Sequence, residues 1–271
     1  MLILQELSPN LNASDFYRLA PSDLSSWQSV IKKVQQQRNP TTLEPLGRYH
    51  ISFSTATAAI SYRDRLLRLH KLAHHKLDTS NGLWESSVPA HLRSPAGDDP
   101  ASELEGFTVT SGSAKTIEVQ RRRVSLKHKW TKHLKEIVEK FEYGDKPPIV
   151  LVQIYPPTVM AGEFGRLVRE DGISRGCEWK MCEPQELQQP IWGARDQVAD
   201  VGNEINSGTM EIQQKMINTQ EKLKCQFVMI CADDAEARRF HRHWNQRPLH
   251  QGVQEDTKCK RNVVHASIIN W

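Results

Sequence analysis

One stretch of this chain is written twice. Residues 2–19 align without a gap on residues 150–167, so that Gln5 falls on Gln153, Pro9 on Pro157, Phe16 on Phe164, Arg18 on Arg166 and Leu19 on Leu167. A second pair follows each copy, residues 51–62 resembling residues 229–240. An internal repeat constrains architecture ahead of any propensity argument, because each copy is one unit with the same order of elements. Each half is therefore expected to hold one copy of a βα…βα module.

The chain is long enough for two such modules, each with its own core, at 271 residues. No apolar run reaches the length needed to span a bilayer, so no membrane partner is expected. The net charge of +4 is small, and a polyanion would have to be recognised through local clusters of cations. Five cysteines, Cys177, Cys182, Cys225, Cys231 and Cys259, all lie in the second half. Cys225 and Cys231 share one predicted strand and cannot bond each other there. An odd set of this kind reads as reduced thiols in an intracellular compartment. Cys177 and Cys182 have no second close pair to complete a zinc site, so no metal is expected. The first strand begins at Met1 or Leu2. A start inside a strand suggests a shortened N-terminus, so the lack of a leader says little about compartment.

In the first half, Leu2, Leu4 and Leu7 alternate as a half-buried strand does, and Ser8-Pro9-Asn10 ends it. Asn12 or Ser14 can cap a helix over 13–20 that buries Phe16 and Leu19. Residues 27–36 read as a strand. Residues 48–53 alternate most clearly, with Tyr49, Ile51 and Phe53 on one face and Arg48, His50 and Ser52 on the other. Ala59, Tyr62, Leu66 and Leu69 then recur at helical spacing over 55–72. From 78 to 99 the composition turns to Ser, Pro, Gly, Asp and Asn, which predicts a mobile, disordered insertion within about 76–104. Either 107–110 or 116–119 closes the first sheet, and the first domain is drawn as 1–120.

Residues 121–148 read as a basic helical connector. Trp130, Leu134, Ile137, Val138 and Phe141 form one stripe of a helix over 126–141, with lysines around it. The second domain, 149–271, repeats the plan with strands at 149–155, 178–182, 225–231 and 263–269. Its helices are expected at 161–171 and 233–244, and a long insertion at about 183–222 includes a helix near 210–223. The expected class is α+β: two ferredoxin-like βαββαβ domains joined by the connector.

At these residues the chain resembles the RNA recognition motif (RRM) family. Residues 2–7 followed by Ser8-Pro9, Leu11 and Asp15-Phe16 resemble its first-strand signature and first helix. Residues 48–53, with an Ala six residues after Phe53, resemble its third-strand signature. The second half matches at 150–155 with Phe164, and at 226–231 with Ala237. The likeness covers about two thirds of the chain, and its long insertions and atypical opening resemble RRM-like proteins of filamentous fungi, mitochondrial ones included.

The resemblance implies a sheet face that stacks unpaired bases on aromatic rings. At the family's stacking positions this chain has Ile3, Arg48 and His50 in the first half, and Leu151, Gln226 and Val228 in the second. Guanidinium and imidazole are planar and can stack on a base or hydrogen-bond it. Ile3, Gln5, Arg48 and His50 are thus the expected contacts to single-stranded RNA. The connector cations Arg121, Arg122, Arg123, Lys127 and Lys129 would supply the phosphate contacts. Leu151, Val228 and Ile230 form an apolar face that an insertion, the connector helix or a protein partner must cover. With Gln153 and Gln226 they make the expected protein interface.

No nucleophile–base–orienter set, phosphate-binding loop or dinucleotide fingerprint is present, and no catalytic residue, cofactor or small-molecule substrate is expected. His70, His74 and His75, like His241 and His243, read as surface histidines, since no carboxylate or thiol completes a metal site around them. The sequence thus points to a non-catalytic RNA-binding protein, with the second module contacting a protein partner in a ribonucleoprotein complex in the mitochondrion or nucleus. The competing expectation is a scaffold or assembly subunit of such a complex with no direct RNA readout.

Overall fold

The computed structural model describes residues 1–19, 30–79, 83–109, 116–123, 128–144, 146–187, 222–249 and 262–271. The chain divides into two compact units, one of residues 1–38 and 44–127, the other of residues 39–43 and 128–271. Its class is α+β, with two antiparallel sheets and six α-helices among the described residues.

The first unit runs β1 (Leu2–Gln5), α1 (Ala13–Tyr17), β2 (Ile31–Arg38), β3 (Pro45–Phe53), α2 (Ala56–Asp78), α3 (Pro100–Glu105) and β4 (Glu118–Arg121). The strands lie in the order β2-β3-β1-β4, every neighbour antiparallel. Strand alternation puts Leu2, Leu4, Tyr49 and Ile51 on one face, where they share a core with Phe16 of α1 and with Ala59, Tyr62 and Leu66 of α2. Helix α1 starts at a capping box. The Asn12 side chain accepts from the Ser14 N–H at 2.9 Å, and the Asp15 carboxylate accepts from the Asn12 N–H at 2.9 Å. On β3, Gly47 takes φ 63° while its carbonyl accepts from the Leu7 N–H at 3.0 Å. A Cβ at Gly47 would strike the Leu7 carbonyl oxygen, so only glycine fits this close approach.

The second unit runs α4 (Lys129–Val138), β5 (Ile149–Tyr155), α5 (Ala161–Ser174), β6 (Gln185–Glu186), β7 (Gln226–Ile230), α6 (Asp234–Trp244), β8 (Pro248–Leu249) and β9 (Asn262–Ile269). Its sheet has the order β6-β7-β5-β9-β8. Without the short β8, that is the order of the first sheet. The duplicated positions fall on matching places. Ala13 and its counterpart Ala161 open α1 and α5, and Thr55 and its counterpart Asp233 are the N-caps of α2 and α6. Each cap accepts from the backbone N–H three residues on, at 3.1 Å from Ala58 and 2.8 Å from Glu236. Phe16 and Phe164, Ala59 and Ala237, and Tyr62 and Phe240 are buried in each case.

Behind the second sheet, Val150, Val152 and Ile154 pack on Phe164, Val168, Phe240 and Trp244. The buried carboxylate of Asp171 ties α5 to α6. It accepts from Arg247 Nη1 at 2.9 Å and from Trp179 Nε1 at 3.2 Å, and pairs with His243 Nε2 at 2.9 Å. Burial pushes this carboxyl up, but the bonds from Arg247 and His243 outweigh it and hold the group below its ordinary range.

Several elements differ from the sequence expectations. The insertion expected to be disordered instead carries two short 3₁₀ turns, Trp84–Ser87 and Ala90–Leu92, and then α3. Trp84, Val88 and Leu92 are buried in the first core, and Arg68 Nη1 on α2 donates to Glu103 on α3 at 2.7 Å and to the Leu92 carbonyl at 3.0 Å. A few large apolar residues, spaced too widely to show periodicity, are enough to dock it. Strand β4 comes from the later of the two candidates, whereas Phe107 and Val109 are buried outside any strand. The strand expected at 27–36 is found at Ile31–Arg38, with residues 20–29 outside the described residues. The weak strand expected at 178–182 moves to β6, leaving a bridge between Met181 and Cys231. The connector helix is shorter than expected and falls within the second unit. The helix expected near 210–223, apart from its last two residues, lies outside the described residues, as does Cys259.

Candidate nucleic-acid interface

The face of the first sheet turned away from its helices is built from the residues between the core positions. Register places Gln120, Ile3, His50 and Gln35 in one row across all four strands. Glu118 and Gln5 stand side by side in the next row toward Arg48, and Ser52 and Lys33 pair on the other side. The sequence assigned Ile3, Gln5, Arg48 and His50 to one face, and the register brings them together. Gln35, Gln120 and Lys33 join them. Alternation within β2 and β4 hints at their facing, but which residue sits beside His50 depends on strand register, and no local signal encodes that.

This row is not an open platform. Ile3 is 5%, His50 6% and Gln35 9% exposed, Gln5 and Gln120 are half-buried, and Arg48 and Lys33 are exposed. The expectation that Ile3 and His50 present free surface to a base is therefore corrected. A stacked base needs a ring or plane open to solvent, and these two side chains lack it. Arg121, Arg122 and Arg123 are exposed at and beyond the end of β4, where the Arg122 N–H donates to the Met1 carbonyl at 3.0 Å. Lys127 lies outside the described residues, and Lys129 is exposed on α4.

The second sheet has its corresponding face filled from within its own unit. Ile230, Ile149 and Ile269 form one row, and Val228, Leu151 and Ser267 the next. Trp130, Leu134 and Val138 of α4 cluster with these apolar residues, joined by Leu43, Cys182, Leu187 and Leu223. Leu151 is 1% exposed, and Val228 and Ile230 are fully buried. The protein interface expected at Leu151, Val228 and Ile230 is thus corrected: among the described residues the connector helix covers this face, with Leu187 of the expected insertion beside it. Gln226 is buried and Gln153 half-buried in the row beyond. The helix is amphipathic as read. Its stripe faces the sheet, while Lys129, Lys132 and Lys135 stay exposed. His133, also buried, bonds the Pro40 carbonyl through Nδ1 at 2.9 Å.

Among the described residues, no group of three or more His, Cys, Asp or Glu is placed to hold a metal ion. Also among them, no helix is long and apolar enough to cross a membrane. Cys182, Cys225 and Cys231 are buried free thiols, and burial pushes Cys231 up to about 12. Cys177 is exposed beside the Arg239 guanidinium. No protein-family model matches this chain, and no curated protein matches it either.

Proposed function

We propose that this chain is a non-catalytic RNA-binding protein made of two ferredoxin-like modules of the RNA recognition motif kind. The first sheet, with Arg121, Arg122 and Arg123 of the same unit, contacts single-stranded RNA mainly through phosphates. The observation that carries this reading is the shared strand order, β2-β3-β1-β4 and β6-β7-β5-β9, with exposed Arg48 and Lys33 on the first sheet's polar face and exposed Arg121–Arg123 at and beyond the end of β4. Cations beside a polar sheet suit a flexible polyanion, because phosphate neutralisation with counterion release supplies most of the affinity. With Ile3 and His50 enclosed, base readout at the centre of the first sheet is weak. Binding there is therefore expected to be strongly salt-dependent and tolerant of sequence.

A second reading is an assembly subunit of a ribonucleoprotein complex with no direct RNA contact. The enclosed row at Ile3, His50 and Gln35 favours it. The two readings separate in titrations of a short fluorescein-labelled single-stranded RNA at low and moderate salt. Wild type is compared with a variant carrying Arg48→Ala, Arg121→Ala, Arg122→Ala and Arg123→Ala. RNA binding by the first unit predicts weaker binding and a salt slope shallower by about 0.7 for each phosphate that is no longer neutralised. Absence of binding by wild type at either salt leaves the assembly subunit alone.

A further inference from the structure

We draw no further inference here: the strongest candidate, the apolar cleft between α5 and residues 178–183 of the second unit, lined by Val168, Ile173, Trp179 and Met181, carries nothing because nothing in the structure shows what covers it.

Discussion

Replacing Leu134 with Ala tests whether α4 is a structural part of the second unit. Leu134 is fully buried in a cluster with Trp130, Val138, Ile149, Leu151, Val228, Ile230 and Ile269. Leu→Ala changes in protein cores cost about 2–5 kcal/mol, the larger values where the surroundings cannot close the cavity. Here one wall is a sheet whose rows are locked by the β5–β7 and β5–β9 ladders, so little collapse is available. The expected loss is therefore about 3–4 kcal/mol, equivalent to a fall in melting temperature of roughly 10 °C for a unit of this size. Urea unfolding followed by tryptophan fluorescence reports on the second unit through Trp130, Trp179, Trp244 and Trp271, and on the first through Trp84. The variant should also bind a hydrophobic dye if α4 lifts from the sheet. Lys132→Ala, on the exposed side of the same helix, should stay within about 0.5 kcal/mol of wild type. A cost below about 1 kcal/mol for Leu134→Ala, with no dye binding, would refute the packing argument.

Two further outcomes follow from single sites. Gly47→Ala should lower the stability of the first unit by at least about 2 kcal/mol, because a left-handed backbone and a blocked Cβ coincide there; a thermal melt unchanged from wild type would contradict it. Asp171→Asn should cost about 1–3 kcal/mol at neutral pH by weakening the bonds from Arg247 and His243. The folded carboxyl lies below its usual value of 3.8, so its contribution is present above that value and disappears as pH falls through the folded one. The gap between wild type and Asp171→Asn in urea midpoint should close on acidification below about pH 4, and a gap constant with pH would rule the ionised carboxylate out.

The repeat placed the elements more accurately than their propensities did. Aligning residues 2–19 with 150–167 carried the start of α1 onto the start of α5, and the second pair carried the N-cap Thr55 onto Asp233. These are local matters, decided by a capping side chain and by where the core-facing Phe or Ala must fall. Composition alone points to disorder in the segment around Trp84, Val88 and Leu92, and the structure buries these three residues. The segment's few apolar residues lack a period, and only a core standing ready to receive them makes them buried.

The candidate sites divide along the same line. Alternation in the chain already assigned Ile3 and His50, or Leu151 and Val228, to the faces where they are found, since side-chain period two is a property of an extended backbone. Whether such a face is open depends on what lies over it. The α4 stripe was legible as apolar, but its destination on Ile149, Leu151, Val228 and Ile230 was a tertiary outcome, because burial depends on distances between segments far apart in the chain. The edge-to-face contact of the Tyr155 and His265 rings, with centroids 5.7 Å apart, belongs wholly to that second category. The two residues meet only because β5 and β9 pair in one register, and Gln246 reaches the imidazole only because α6 ends beside it.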